Sequence, residues 1–166
     1  TDAMASGLVL DAVLAESRAQ AADFWRLRET LPEAQPAEGV GIKHDISVPV
    51  SRVPEFLRQA GAAIKAAAPG VRICAFGHMG DGNLHYNLCQ PEGGDGADFA
   101  ARKAELNRIV HDIVTAMGGS ISAEHGIGQL KRKELRHYKP AVALDMMRAL
   151  KATLDPNNIM NPGKVL

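Results

Sequence analysis

An α+β fold is predicted by three features of this sequence. Short runs with period-two apolar spacing alternate with longer runs of period 3.6, and two of the short runs flank Met79-Gly80-Asp81-Gly82, a connection with hairpin turn chemistry. Taken in order, the middle of the chain spells β-α-β-β-α-β. That is the ferredoxin-like arrangement, an antiparallel sheet with helices on one face, here with further helices at the N- and C-terminal ends. At 166 residues and 46% apolar, the chain can bury one respectable core, so one domain over residues 1–166 is expected.

Residues 5–30 read as one helix, apolar at Leu8, Leu10, Val13 and Leu14 and again at Phe24, Trp25 and Leu27. Arg26 and Arg28 sit at its end, where cations suit the helix dipole. Pro32, Pro36 and Gly39 mark a loop. From Lys43 to Val50 the period is two: Ile46, Val48 and Val50 face a core, and Lys43, Asp45 and Ser47 face away. Ser51 and Pro54 open a helix with the stripe Val53, Phe56, Leu57, Ala60 and Ile64, which ends at Pro69-Gly70. Residues 71–78 form a second strand and 83–89 a third. After a Gly/Asp loop over 91–96, one helix carries Phe99, Leu106, Ile109, Val110, Ile113, Val114 and Met117, stopped by Gly118-Gly119. Residues 120–124 read as a fourth strand. Helical stretches near 129–137 and 140–153 precede a Pro/Asn/Gly tail.

Strand parity puts Ile46, Val48, Ile73, Ala75, Leu84, Tyr86, Leu88, Ile121 and Ala123 under the helices. It sends Lys43, His78, His85, Asn87, Ser122 and Glu124 to the other face. Strand direction is expected to gather Lys43, His78, His85 and Glu124 at one end of that face. The fourth strand is separated from the third by the first, so Glu124 starts roughly 10 Å from His85 at strand spacing. The expected hairpin register sets His78 opposite His85 and Cys74 opposite Cys89. A cross-strand disulfide is usually strained, so two thiols are predicted.

Two imidazoles and a carboxylate with open positions are a common way to hold a divalent cation, which makes His78, His85 and Glu124 candidate ligands. His-x6-His alone fits no standard zinc spacing, and a pair of polar hairpin residues is the competing account; the matching face of Glu124 tips the reading to metal. His125, in His-Gly-Ile-Gly, suits a general base, or is a surface turn histidine. Lys43 orients an anionic substrate or is a solvated strand-end lysine. Asn87 bonds a carboxylate or holds a neighbouring loop. Asp81 reads as a turn residue. His44, His111 and His137 read as structural or solvated. Glycines 77, 80 and 82 do not form a phosphate cradle, because a strand rather than a helix follows them.

Nineteen basic and nineteen acidic side chains cancel, which gives no electrostatic reason to expect nucleic acid or an anionic membrane as partner. No apolar run approaches the roughly 20 residues of a membrane span, and no signal-peptide pattern opens the chain. Two cysteines suit a reducing, cytoplasmic setting, with peripheral membrane association or the mitochondrial matrix left open. A start at Thr1, directly into helical pattern, is expected of a piece of something longer.

Three segments in order carry a family resemblance: Phe-Gly-His78-Met-Gly-Asp-Gly-Asn-Leu-His85-Tyr-Asn87, then Ser-Ala-Glu124-His125-Gly-Ile-Gly, then Asp155-Pro-Asn-Asn-Ile-Met-Asn161-Pro-Gly-Lys164. The sequence resembles, from its first helix to its last residue, the C-terminal domain of FAD-linked oxidases, the flavin-dependent D-2-hydroxyacid dehydrogenases. The resemblance implies a divalent metal, zinc, on His78, His85 and Glu124, with His125 as base. It implies substrate contacts at Lys43, Asn87 and, through Trp25-Arg-Leu-Arg28-Glu29, Arg28, and a cofactor contact at Asn161. The implied substrate is a small 2-hydroxyacid of D-lactate or D-2-hydroxyglutarate type, oxidised to the 2-oxoacid. FAD would be held mainly by an N-terminal domain of the same full-length chain, a homodimer is allowed, and the electron acceptor is unspecified. Pro32 stands where some D-2-hydroxyglutarate dehydrogenases carry a substrate-binding Thr. The alternative is a stand-alone ferredoxin-like module that binds metal or a partner without catalysis.

Overall fold

The computed structural model describes residues 2–166, which divide into two compact units, one ending at Gly39 and one running from Val40 to Leu166. The first holds α1 (Asp2–Ala5), α2 (Arg18–Glu29), α3 (Leu31–Ala34) and a 3-10 turn over Gln35–Glu38. The single helix expected over residues 5–30 is therefore interrupted. Gly7 turns the chain with φ +70°, and α2 starts afresh at Ser17, whose hydroxyl accepts the Gln20 N–H. Leu8, Leu10, Val13 and Leu14 remain exposed. Helical periodicity without a face to bury does not hold a helix in water.

The second unit is built on a four-stranded antiparallel sheet of β1 (Gly41–Ile42), β2 (Asp45–Ser47), β3 (Arg72–His78) and β4 (Asn83–Cys89). β4 is central, with β3 on one side and β1 and β2 in line on the other. The pairs Ile42↔Leu88 and Asp45↔His85 share one register, so β1 and β2 are a single strand opened at Lys43-His44. In that opening the His44 N–H donates to the Asn87 side chain at 3.3 Å instead of to a ladder carbonyl.

The predicted fourth strand is reduced to one antiparallel bridge, Ser47↔Ser120. The order across the sheet is thus residue 120, β2, β4, β3. It matches the predicted ferredoxin-like arrangement with its last strand cut short.

α4 (Val53–Ala67) and α6 (Lys103–Ala116) cover one face. Phe56, Ala60 and Ile64 from the first and Leu106, Val110 and Val114 from the second bury against Ile46, Val48, Leu84, Tyr86 and Leu88. Phe56 and Tyr86 meet edge to face at 5.2 Å. Three residues expected in this core are instead exposed. Val50 has left the strand for a 3-10 turn, Ala75 lies on the edge strand β3, and Ala123 lies beyond the bridge at Ser120.

The helix expected to run unbroken to Met117 divides at Arg102 into α5 (Gly96–Ala101) and α6. The Arg102 guanidinium donates to the Ala67 carbonyl at 2.9 Å, tying the start of α6 to the end of α4. α7 (Arg132–Tyr138) and α8 (Ala141–Leu154) follow. In the tail the buried Asp155 carboxylate accepts the N–H groups of Ile159 and Met160, beside Asn158 and Asn161 with φ 51° and 47°.

The hairpin register is two residues from the one expected. His78 pairs with Asn83, His85 with Phe76, and Cys74 with Asn87. The turn holds four residues, closed by the Asn83 N–H donating to Asp81 Oδ1 at 3.1 Å, which is the turn role expected of Asp81. Cys74 and Cys89 are consequently not partners, and both are thiols. No helix among the described residues is long and apolar enough to cross a membrane.

Candidate metal centre

The face of the sheet away from α4 and α6 carries the polar side chains, and its rows follow from the register. His78, Asn83 and Ser47 form one row, with Ser120 bridged to Ser47. Phe76, His85 and Asp45 form the row two residues further on. Continuing the same register puts Lys43 in the row of Cys74 and Asn87. Lys43 is thus four residues along the strand from the His78 row, roughly 13 Å at strand rise. The expectation that Lys43 shares an end with His78 is corrected on this point. β2 and β3 both run antiparallel to β4 and so parallel to each other, which leaves Lys43, before β2, at the other end of the sheet from His78, the last residue of β3.

Glu124 does reach both histidines. Its Oε1 lies 3.2 Å from His78 Nδ1 and its Oε2 lies 3.4 Å from His85 Nε2. A regular strand would have carried Glu124 away from His78. Instead the chain leaves the ladder after Ser120 and folds across the sheet face, closing the roughly 10 Å backbone gap left by an intervening strand. Asp45, on that intervening strand, sets the crossing. Its Oδ2 accepts the backbone N–H of both Glu124 and His125 at 2.8 Å each, and its Oδ1 accepts Asn83 Nδ2 at 3.1 Å. Asp45 is 2% exposed. Burial alone would raise its pKa, but the N–H groups of His125 and Glu124, the nearby His125 ring and the Asn83 amide outweigh it and hold the carboxyl below its usual value.

His85 lies between two rings, tilted against Phe76 at 5.1 Å and stacked on His125 at 5.7 Å. His125 Nδ1 is 3.9 Å from Asp45 Oδ2. Asp45, His85, Glu124 and His125 each offer one donor atom, all within 4.8 Å of one another, a group able to hold a metal ion. Within that group Asp45 is the poorest donor, since three hydrogen bonds already occupy its two oxygens. His78 lies outside that group and meets Glu124 through Oε1, whereas His85 faces Oε2. Ligand bonds near 2.1 Å in a tetrahedron imply donor separations of about 3.4 Å, and Glu124 Oε2 stands 3.4 Å from His85 Nε2. Beside them a cleft of about 230 Å³ is lined by Ser47, Asp81, Asn83, Ser120, Ser122, Ala123 and Glu124.

Of the other candidates, Lys43 is exposed on the same face, while Asn87 is buried and holds the His44 N–H. Arg28 is half-buried in α2 of the first unit, and Asn161 is an exposed residue of the tail. Asp45 was the residue that sequence reasoning passed over. Its signal was an acid, poorly suited to strands, on the polar face of a strand between His44 and Ile46.

A family profile described as "FAD linked oxidases, C-terminal domain" matches residues 1–165. A D-2-hydroxyglutarate dehydrogenase of Stutzerimonas stutzeri (strain A1501) is 42% identical over 159 residues, covering 96% of this chain and 34% of its own length. One from Xanthomonas citri pv. viticola is 41% identical over 162 residues, with 98% and 34% covered. A mitochondrial one from Danio rerio is 37% identical over 165 residues, with 99% and 30% covered. The chain spans about a third of the length of these curated relatives.

Proposed function

This chain belongs to the family of FAD linked oxidases, C-terminal domain, and from that premise we propose that it is the substrate- and metal-binding part of a flavin-dependent dehydrogenase. Its substrate is a D-2-hydroxyacid, with D-2-hydroxyglutarate first, since that is the substrate in the names of the similar proteins. The observation that carries the reading is Glu124 set between His78 and His85 beside the His125 ring.

His78, His85 and Glu124 would hold a divalent cation, zinc in the first instance. When bound, the cation supplies Lewis acidity at the α-hydroxyl and carboxylate of the substrate, and FAD, carried by a further domain of the full-length protein, supplies the two-electron oxidant. His125 accepts the hydroxyl proton as the α-carbon loses hydride and the 2-oxoacid forms. Lys43, Asn87 and Arg28 bind carboxylate oxygens, and Asn161 contacts the cofactor. Stacking on His85 limits rotation of the His125 ring, which favours a fixed direction of proton transfer.

The test is dye-linked oxidation by the full-length protein that carries this chain, with D-2-hydroxyglutarate and D-lactate compared before and after chelation. Chelator-sensitive turnover of one of them is expected. Failure to oxidise either would overturn the reading. The 166-residue chain alone is expected to be inactive, and turnover by it without another protein would show that the flavin site is assigned to the wrong part.

A further inference from the structure

Resting on the reading of Glu124 as ligand and His125 as base, we infer that Asp45 is a positioning residue that fixes both at once by gripping the peptide units that carry them. The 120–128 segment touches the sheet ladder at one bridge, Ser47↔Ser120, and through the Ala123 N–H to the Asp45 carbonyl at 3.2 Å. Beyond Ala123 no ladder bond to the sheet continues among the described residues. Glu124 and His125 are both exposed, so packing does little to place them. What places them is Asp45 Oδ2, which takes two consecutive N–H groups at 2.8 Å, charge-assisted bonds in a site shielded from water.

Two adjacent N–H donors on one oxygen fix the plane and direction of the connecting peptide. That sends the Glu124 side chain toward His78 and His85 and sets the His125 ring over His85. Asn83 holds the other Asp45 oxygen, so the carboxylate cannot rotate away. From the far side Lys131 Nζ donates to the Ile121 carbonyl at 2.9 Å, steadying the segment before the turn. Asp45 thus works through Glu124 and His125 rather than on the cation. Outer partners of this kind change metal affinity by about 10–100-fold when removed.

Asp45→Ala removes both acceptor oxygens and isolates the role; asparagine would not, because turning the Asn83 amide presents its unpaired Oδ1 to the new NH2 and leaves the remaining oxygen on the two backbone N–H groups. Hydrogen exchange by NMR on the metal-free wild-type protein is expected to show the Glu124 and His125 amides protected at least tenfold relative to Gly126. In Asp45→Ala that protection is lost, and Zn²⁺ affinity by calorimetry falls by about 10–100-fold while the stoichiometry stays at one.

Unprotected Glu124 and His125 amides in the wild type would overturn the inference even if the variant fails to fold. So would a folded variant with unchanged Zn²⁺ affinity. Loss of wild-type protection on adding Zn²⁺ would also overturn it, because it would mean that Asp45 leaves the amides to bind metal. A wild-type protein that protects these amides but binds no Zn²⁺ would sink the metal reading and leave Asp45 as the anchor of the segment.

Discussion

The rings of His44 and His111 meet edge to face with centroids 5.6 Å apart, each residue only 3% exposed beneath the sheet. His44 Nδ1 donates to the Tyr86 carbonyl at 2.7 Å. Burial pushes both imidazoles down to about 4. Neither belongs to the candidate metal centre; they are structural.

Acid should therefore destabilise the fold over a defined window. Above pH 6.5 both histidines are neutral in the folded and unfolded chain alike, and they give stability no pH dependence. Between about pH 6.5 and 4 the unfolded chain takes up protons that the folded one refuses, so stability falls as pH falls. Each shift alone corresponds to about 3 kcal/mol. Urea unfolding at steps from pH 7.5 to 4 checks this. A midpoint that does not move between pH 6.5 and 4 would refute it.

Removing either imidazole that touches Glu124 should cost metal binding. His85→Ala and His78→Ala, made separately, are each expected to weaken Zn²⁺ binding by more than about tenfold, or 1.4 kcal/mol, with His85→Ala also releasing His125 from its stacked partner. Calorimetric titration decides. Wild-type affinity in either variant would strike that histidine from the ligand set.

Two glycines of the hairpin turn should respond very unequally to a methyl group. At Gly82, φ is +72° and an added Cβ would lie 2.0 Å from the Val48 carbonyl oxygen, whereas at Gly80 it would meet nothing within 4 Å. Gly82→Ala is expected to cost more than about 2 kcal/mol, and Gly80→Ala to stay within about 0.5 kcal/mol. Thermal unfolding of the two variants side by side tests the contrast. Equal stabilities would mean that the close approach of Gly82 to Val48 is not maintained in solution.

The sheet, its covering helices and its polar face were legible in the sequence because they rest on periodicity, which burial enforces at Ile46, Leu84, Tyr86 and Leu88. What escaped was everything that periodicity does not govern. The hairpin register depended on the four-residue turn, and an error of two residues leaves every side chain on its proper face, so no parity argument detects it. Leu8 to Leu14 carry a helical pattern with nothing buried against it. At the candidate site the right residues emerged from a partly mistaken geometry. Glu124 reaches His78 because its strand stops, and the agent is Asp45, whose side chain bonds to backbone rather than to another side chain. Patterns of side-chain type carry no trace of such a bond.

The lone bridge at Ser47 and Ser120 has an evolutionary consequence. Past Ile121 the segment bearing Glu124 and His125 adds little to the buried core. The proposed base and one proposed ligand therefore lie on a segment separate from the core, while His78, His85 and Asp45 belong to the sheet. A lineage can lengthen, shorten or rewrite that segment, exchanging one reaction for another or discarding catalysis, while inheriting the same sheet and helices unaltered.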